Sequence, residues 1–520
     1  MTPVQILDST LRDGAQAEGI SFSVNDRLEI ARILDGLGLH YIEAGNPASN
    51  PKDFAFFRQA ATLNLKSAKL CAFGVTRRKG GTAEADKNCL ALLEAATPAV
   101  AIVGKSSARH VAEVLQTTRA ENLAMIEETC RFFANAGREV IFDAEHFFDG
   151  YAIDLPYALG TLRAAARGGA GALVLCDTNG GSLPWDVETI TRAICKEFPD
   201  IPIGIHAHDD GGMATASTCA AVRAGARHVQ GTFLGFGERV GNANLSAVLP
   251  NLQLKLGFGC IPPENLARLT ECALQAASIT NISLRGNTPF VGARAFAHKG
   301  GMHADGVLKN PASFEHIDPA CVGNRRRLLV SEVAGRAAIL PRVKRLYPDI
   351  DAENPAVGRV VSALKDKEFG GYSFEGADAS FDLLIRRCFE VLPAFFELIS
   401  YKVLDQLPYS NECSATATLK IRVDSQVKIA AAEGEGPVNA LDLALREALC
   451  GFYPVLAKVR LIDYKVRIME SAAGTGSQVR VLITSGDGVR QWATVGVSHD
   501  IIEASWEALV DSIVYKLLEG

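Results

Sequence analysis

At 520 residues, with 48% apolar and 22% charged side chains, the chain has material for two or three domains, one of them as large as a barrel of about 250 residues. A formal charge of -6 gives no electrostatic reason to expect nucleic acid or an anionic membrane as partner, and no window approaches the ~18–20 uninterrupted apolar residues of a membrane span. The twelve cysteines lie scattered in apolar stretches ("KLCAF", "LVLCDT", "RAICKEF") without a Cys-x-x-Cys, which points to small buried hydrophobes in a reducing compartment. The start "MTPVQILDSTLRDG" has neither a basic nor an apolar leader pattern, so a cytoplasmic location is expected.

The first 260 residues repeat one pattern: a short apolar, β-branched run followed by a longer stretch of helical period. Candidate strands are "VQILD" (4–8), "LHYIE" (39–43), "AKLCAF" (68–73), "AVAIV" (99–103), "EVIFD" (139–143), "ALVLC" (172–176), "PIGIH" (202–206) and "HVQGTF" (228–233). Such continuous apolar runs suit parallel strands buried on both faces. Between the first two, Ser23 and Asp26 predict a helix start, Leu28, Ala31, Leu34 and Leu37 share a stripe, and Gly38 ends it. Eight βα units in series predict an α/β fold of the (β/α)8 TIM-barrel type over 1–260. A dinucleotide-binding sheet would need G-x-G-x-x-G after the first strand, and "STLRDGAQAEG" is not one.

The strand ends are rich in groups that are costly to desolvate unless they bind something: Arg12 and Asp13, Glu43, Asp143 and Glu145, Asp177 and Thr178, His206 and His208, then Thr232, Glu238 and Asn242. In a barrel these ends meet on one face, where catalytic loops are built.

Residues 261–405 read as helices and irregular connections forming linker subdomains, with a Gly-, His- and Asp-rich loop region at 294–319 that contains His303. Residues 406–520 read as a separate α+β duplicated domain. "ATATLKIRV", "VKIAAAEG" and the helix "VNALDLALREAL" are matched by "DYKVRIME", "QVRVLITSG", "RQWATVGV" and the helix "DIIEASWEALVDSIVYKLL". A duplication of this kind suits a regulatory or dimer-forming unit and predicts a homodimer.

"GIHAHDDGG" (204–212) taken alone fits one packed and one solvated histidine as well as it fits a metal site. On a strand, His206 and His208 point the same way, and their place opposite Asp13 favours the metal reading, with open positions for substrate oxygens. Arg12 next to Asp13 is either a surface ion pair or a group facing an oxyanion. Glu238 and Asn242 belong to a Gly-rich turn or orient the metal shell. Thr178 is a cap or a substrate contact, and His303 is a loop histidine or a mobile general base. Arg12, Glu43 and Thr178 form the candidate substrate-binding set.

"LDSTLRDGAQ", "HAHDD", "GFGERVGNANL" and "AFAHKGGMHADGVLK" resemble, in this order, motifs of the acyl-CoA-dependent Claisen condensing enzymes. These are the 2-isopropylmalate, homocitrate and citramalate synthases of the metallolyase TIM-barrel superfamily. The resemblance spans essentially the whole chain. "NPASNPKDF", "SFEHIDPACVGNRRRLLVSEVAGR", "AAEGEGPVNALDLALR" and "VGVSHDIIEASWEALVDSI" look most like the citramalate branch.

The resemblance implies metal-dependent condensation of acetyl-CoA with a small 2-oxo acid, pyruvate on the citramalate pattern, within isoleucine and branched-chain amino-acid biosynthesis. It implies a divalent metal ion (Mg, Mn or Zn), acetyl-CoA as co-substrate, and a C-terminal domain open to amino-acid feedback. Asp13, His206, His208 and Asn242 then match metal ligands. Arg12 matches the group that polarises the keto oxygen, Thr178 the carboxylate-binding hydroxyl, and Glu145 with His303 the pair that deprotonates the acetyl methyl group. The alternatives are a different 2-oxo acid, as in 2-isopropylmalate or homocitrate synthases, or carbon–carbon cleavage as in hydroxymethylglutaryl-CoA lyase. Asp209, Leu234, Asn46 and Phe314 depart from the usual pattern, and bear on substrate choice rather than chemistry.

Overall fold

A computed structural model describes residues 1–329, 336–351, 353–410, 413–469, 474 and 476–519. Residues 330–335 of the stretch that begins "SFEHIDP" and residue 470, the last of "DYKVRIME", lie outside the described residues. The chain divides into two compact units, one formed by 1–296 with 316–326 and the other by 297–315 with 327–520.

In the first unit eight parallel strands close into a barrel: β1 (Gln5–Asp8), β2 (Tyr41–Glu43), β3 (Lys69–Val75), β4 (Ala99–Lys105), β5 (Glu139–Glu145), β6 (Ala172–Asp177), β7 (Ile203–Ala207) and β8 (His228–Gly231). β8 returns to β1, pairing Gln5 with His228 and Asp8 with Gly231. All eight expected strands form, with ends moved by a few residues.

The first helix, Val24–Leu37, shows how local sequence sets the elements. The Ser23 side chain accepts the Asp26 N–H, the Asp26 carboxylate accepts the Ser23 N–H, and Gly38 ends the helix at φ +95°. Leu28, Ala31, Leu34 and Leu37 are buried, each leucine contributing about 1.5–3 kcal/mol of transfer free energy. The cysteines of this unit are free, and most are buried, as their apolar settings predicted.

Alternation along the strands separates two cores. Ile6, Ala72, Val100, Ile102, Val140, Phe142, Leu173 and Leu175 face the helices in one large cluster. Their neighbours Leu7, Cys71, Ala99, Ala101, Ile141, Ala172 and Val174 form a small cluster that plugs the barrel interior. Continuing by twos from Leu7, Ala101 and Ile141 leads to polar groups at the C-terminal ends, Ser9, Lys105, and Asp143 with Glu145.

In the second unit, β9 (Glu397–Ser410), β10 (Cys413–Val423) and β11 (Gln426–Gly434) form an antiparallel sheet followed by helix Pro437–Cys450. β12 (Arg460–Ile468), β13 (Val479–Gly486) and β14 (Gln491–Ser498) repeat the plan before helix Ile501–Glu519. The duplication holds, but β9 begins inside the stretch read as helical and irregular. A register shift between Leu398 and Ser400 breaks its alternation, so Leu398, Tyr401 and Val403 reach the core at uneven spacing. Helices Arg336–Leu346, Pro355–Phe369 and Asp378–Phe389 share a separate core with Ala304 of helix Gly301–Lys309. Among the described residues no helix is long and apolar enough to cross a membrane.

Candidate active site

Two residues beyond the plug in alternation stand Ser9, Glu43, Phe73 and Asp143, with His206 on β7 and Gln230 on β8; Lys105 and Glu145 end β4 and β5, and Arg12 with Asp13, Thr178 and His208 lie in the turns after β1, β6 and β7. The structure brings Asp13, His206 and His208 together, with one ligand atom from each within 4.8 Å of the others. His206 Nε2 lies 3.4 Å and His208 Nε2 4.0 Å from Asp13 Oδ2, and all three residues are buried.

Electrostatics draw one positive charge to Asp13 and His206 and none to His208. Against the cost of burial, Arg12 and then His206 hold the Asp13 carboxyl well below its ordinary range. Burial opposes a proton on His206, but Asp13 outweighs it and raises the pKa. His208 is pushed down to about 4 by burial and by the neighbouring His206. Two imidazoles and one carboxylate sharing a single attraction for a proton suit a divalent cation better, because one ion satisfies all three lone pairs at once.

Unpartnered atoms test that fit. Asp13 Oδ1, His208 Nδ1 and Asn242 Oδ1 are buried and have no hydrogen-bond partner among the described residues. Asn242 bridges the His208 backbone, and its amide nitrogen donates to the Phe236 carbonyl at 3.2 Å, which leaves its oxygen uncommitted. Gly237 keeps this amide in place: its φ is +154°, and a Cβ there would stand 2.1 Å from Asn242 Nδ2. The residues therefore fit a divalent metal ion.

Arg12 lies beside this cluster. Its Nε donates to Glu43 at 2.8 Å, a terminal nitrogen lies 3.2 Å from Asp13, and its guanidinium stacks 4.0 Å from the Phe73 ring centre. Burial works against the charge, but Glu43 and Asp13 prevail and raise its pKa, so it is a permanent cation. Glu43 is fully buried and also accepts from the Ser9 hydroxyl, while its Oε1 has no partner among the described residues. Asp143 is buried as well, and burial together with the Glu43 charge pushes it up to about 7.

Thr178 follows β6. Its hydroxyl oxygen accepts the His146 N–H at 2.8 Å, so the hydroxyl proton remains free to donate, and its carbonyl accepts from Arg239. Arg239 also grips Asp210 with both ends of its fork, at 2.7 and 2.9 Å. Asp209 accepts from the Ala214 backbone at the start of the following helix, so both carboxylates of "HAHDD" serve the loops rather than the cluster. Glu238 is exposed, 3.7 Å from Arg239, and does not join the cluster. Glu145 is paired with Lys105, its register partner on β4. His303 belongs to the second unit, on helix Gly301–Lys309, with its ring stacked 4.2 Å from Phe314.

Sequence reasoning missed Gln230, Lys105 and Phe73. The available signal was the period of two: Gln230 follows His228, and Lys105 follows Ala101 and Val103, on the inward face.

The HMGL-like family model matches residues 3–275, the homocitrate synthase post-HMGL domain-like model matches 290–368, and the LeuA allosteric (dimerisation) domain matches 375–517. Fold and site thus define an HMGL-like barrel with a metal-binding mouth, joined to a LeuA-type domain. The chain is 51% identical to the (R)-citramalate synthase of Aquifex aeolicus over 522 residues, which cover 99% of this chain and 98% of that protein. It is 48% identical to that of Synechocystis over 527 residues (99% and 96%) and 44% identical to that of Geobacter sulfurreducens over 518 residues (99% and 98%). The chain belongs to the (R)-citramalate synthase family.

Proposed function

We propose that this chain is an acyl-CoA-dependent acyltransferase that condenses acetyl-CoA with pyruvate, releasing citramalate and CoA. The observation that carries the reading is the placement of Arg12 against Asp13, His206 and His208, in a chain that aligns end to end with (R)-citramalate synthases.

Asp13, His206, His208 and Asn242 would hold a divalent ion, Mg, Mn or Zn. When bound, that ion would supply Lewis acidity toward the 2-oxo acid and a template for its oxygens. Thr178 donates its free hydroxyl proton to the substrate carboxylate. Arg12, steadied by Glu43, stabilises the negative charge that grows on the keto oxygen as the new bond forms. His303, assisted by Glu145, removes a proton from the acetyl methyl group, and the resulting carbanion attacks the keto carbon. Protonation of that oxygen gives the tertiary alcohol. Water then cleaves the thioester, giving a carboxylate and free CoA thiol.

We further assign chemistry to a barrel at 1–260, linkage and the His303 loop to 261–405 apart from the start of β9 at Glu397, and dimerisation with amino-acid feedback to the duplicated domain that β9 opens, expected at 406–520. The LeuA allosteric (dimerisation) domain supports a homodimer, which we assign to the cytoplasm and to isoleucine and branched-chain biosynthesis. The test is thiol release from acetyl-CoA with Mg2+ or Mn2+ and a panel of glyoxylate, pyruvate, 2-oxoisovalerate and 2-oxoglutarate. Pyruvate is expected to give the highest kcat/KM. Preference for 2-oxoisovalerate would make the chain an isopropylmalate-type enzyme, and no thiol release with any acid would overturn the reading.

A further inference from the structure

Behind the Asp13–His206–His208 cluster stands a fully buried amide, Gln230, whose backbone pairs in register with His206 across β7 and β8. Its oxygen lies 2.9 Å from His206 Nδ1, and its nitrogen donates to Asp143 Oδ1 at 2.8 Å. We propose that Gln230, oriented by Asp143, is a positioning residue that holds the His206 proton on Nδ1, so that the Nε2 lone pair is available to a cation shared with Asp13. This rests on the reading of the cluster as a cation site.

A neutral imidazole has one N–H and one lone pair, and only the second can bind a metal. Which nitrogen carries the proton is set by what the other ring nitrogen meets. Here the decision passes through two bonds. A carboxylate can only accept, so Asp143 draws the amide nitrogen of Gln230 toward itself. The amide oxygen must then face His206, and an acceptor facing Nδ1 holds the proton there. Turning the amide over would set its oxygen against the Asp143 carboxylate, two acceptors in a buried space with no proton between them. His208 has no such partner on Nδ1 among the described residues, so the two ligands are not equivalent: His206 is held in advance and His208 is free to adjust.

The test is Mn2+ binding by the metal-free full-length protein at pH 8, above the level to which burial pushes Asp143, followed by the EPR signal of free Mn2+. Gln230→Met keeps the volume but removes the acceptor, and should weaken binding by about ten- to a hundredfold. The double variant Q230E/D143N exchanges carboxylate and amide: the carboxylate introduced at position 230 accepts from His206 Nδ1, and the amide introduced at position 143 donates to that carboxylate. It should recover most of the lost affinity, which mere filling of the barrel would not do. Unchanged binding in Q230M, or no recovery in the exchanged pair, overturns the proposal while leaving the cation site standing. Failure of the wild-type protein to bind Mn2+ overturns the cation reading itself. Should Q230M not fold, Asp143→Leu takes its place: releasing the amide is expected to weaken Mn2+ binding severalfold, and unchanged binding counts against the proposal.

Discussion

The Nε of Arg12 stands 2.8 Å from Oε2 of Glu43, a carboxylate with no exposure to solvent. The pair fixes the direction of the guanidinium, because a planar fork clamped at Nε presents its remaining N–H groups one way. Glu43→Gln keeps the volume and weakens the clamp. Steady-state thiol release should show kcat lowered by about 100-fold, on the scale expected when a charged group is misplaced by an ångström, with a smaller change in KM for the 2-oxo acid. Wild-type kcat would show that Arg12 is positioned by something else.

On the proposed set of Asp13, His206, His208 and Asn242, Asp13→Ala and His206→Ala each remove one ligand and leave three. Metal analysis of protein purified and dialysed in Mn2+ should find both variants depleted, whereas full occupancy in either removes that residue from the ligand set.

His303→Ala is expected to bind pyruvate with ordinary affinity and to lose turnover by about 100- to 10,000-fold, the range for loss of a general base. Calorimetric binding of pyruvate separates this from a folding defect. A rate within a few-fold of wild type would mean that another group takes the proton.

Gly237→Ala tests the loop that carries Asn242. The new Cβ would stand 2.1 Å from Asn242 Nδ2, at a backbone conformation that side chains seldom adopt. Mn2+ affinity should fall because the Asn242 amide is displaced, and the strained backbone should lower the melting temperature modestly as well, so affinity is read on folded protein. Unaltered affinity would place Asn242 outside the metal shell.

His228 gives the barrel an acid-sensitive floor. It is fully buried, both its ring nitrogens lack partners among the described residues, and burial lowers its pKa from 6.5 to about 4. Below pH 6.5 the unfolded chain gains a proton that the folded barrel refuses. The stability this site contributes is therefore complete above the unfolded pKa and is lost as pH falls toward the folded one. At ~1.4 kcal/mol per pKa unit the loss approaches about 3 kcal/mol at the acid end. Urea midpoints at neutral and acid pH should show this difference between wild type and His228→Leu, and parallel curves would exclude it.

The barrel was legible because a strand buried on both faces has little choice but a continuous apolar run, and "AVAIV" or "ALVLC" offers no competing pattern. The helix over Val24–Leu37 was legible because Ser23, Asp26 and Gly38 each perform a local job that does not depend on the rest of the chain. Asp13, His206 and His208 stood out as costly groups at strand ends. Gln230 did not, since an amide inside "HVQGTF" looks like a neutral strand residue until its neighbours across the barrel are known. Glu238 misled for the opposite reason, being a carboxylate within a glycine-rich motif that the loop carries to the surface. β9 was hidden by its bulge, which spoils the alternation by which strands are read.

The barrel interior holds two polar tiers kept apart by an apolar one. At the floor, Tyr41 donates to Glu139, Lys69 pairs with the same carboxylate at 2.7 Å, and His228 lies beside the Tyr41 ring. At the mouth lie Arg12, Asp143 and the histidine pair. Leu7, Ala99, Ala101, Ile141, Ala172 and Val174 fill the space between them with hydrocarbon. That filling acts as insulation, leaving no bonded path for a proton through those side chains. Thermal or acid tolerance can therefore be engineered from below, by replacing floor residues, while the reacting end keeps its own charge balance.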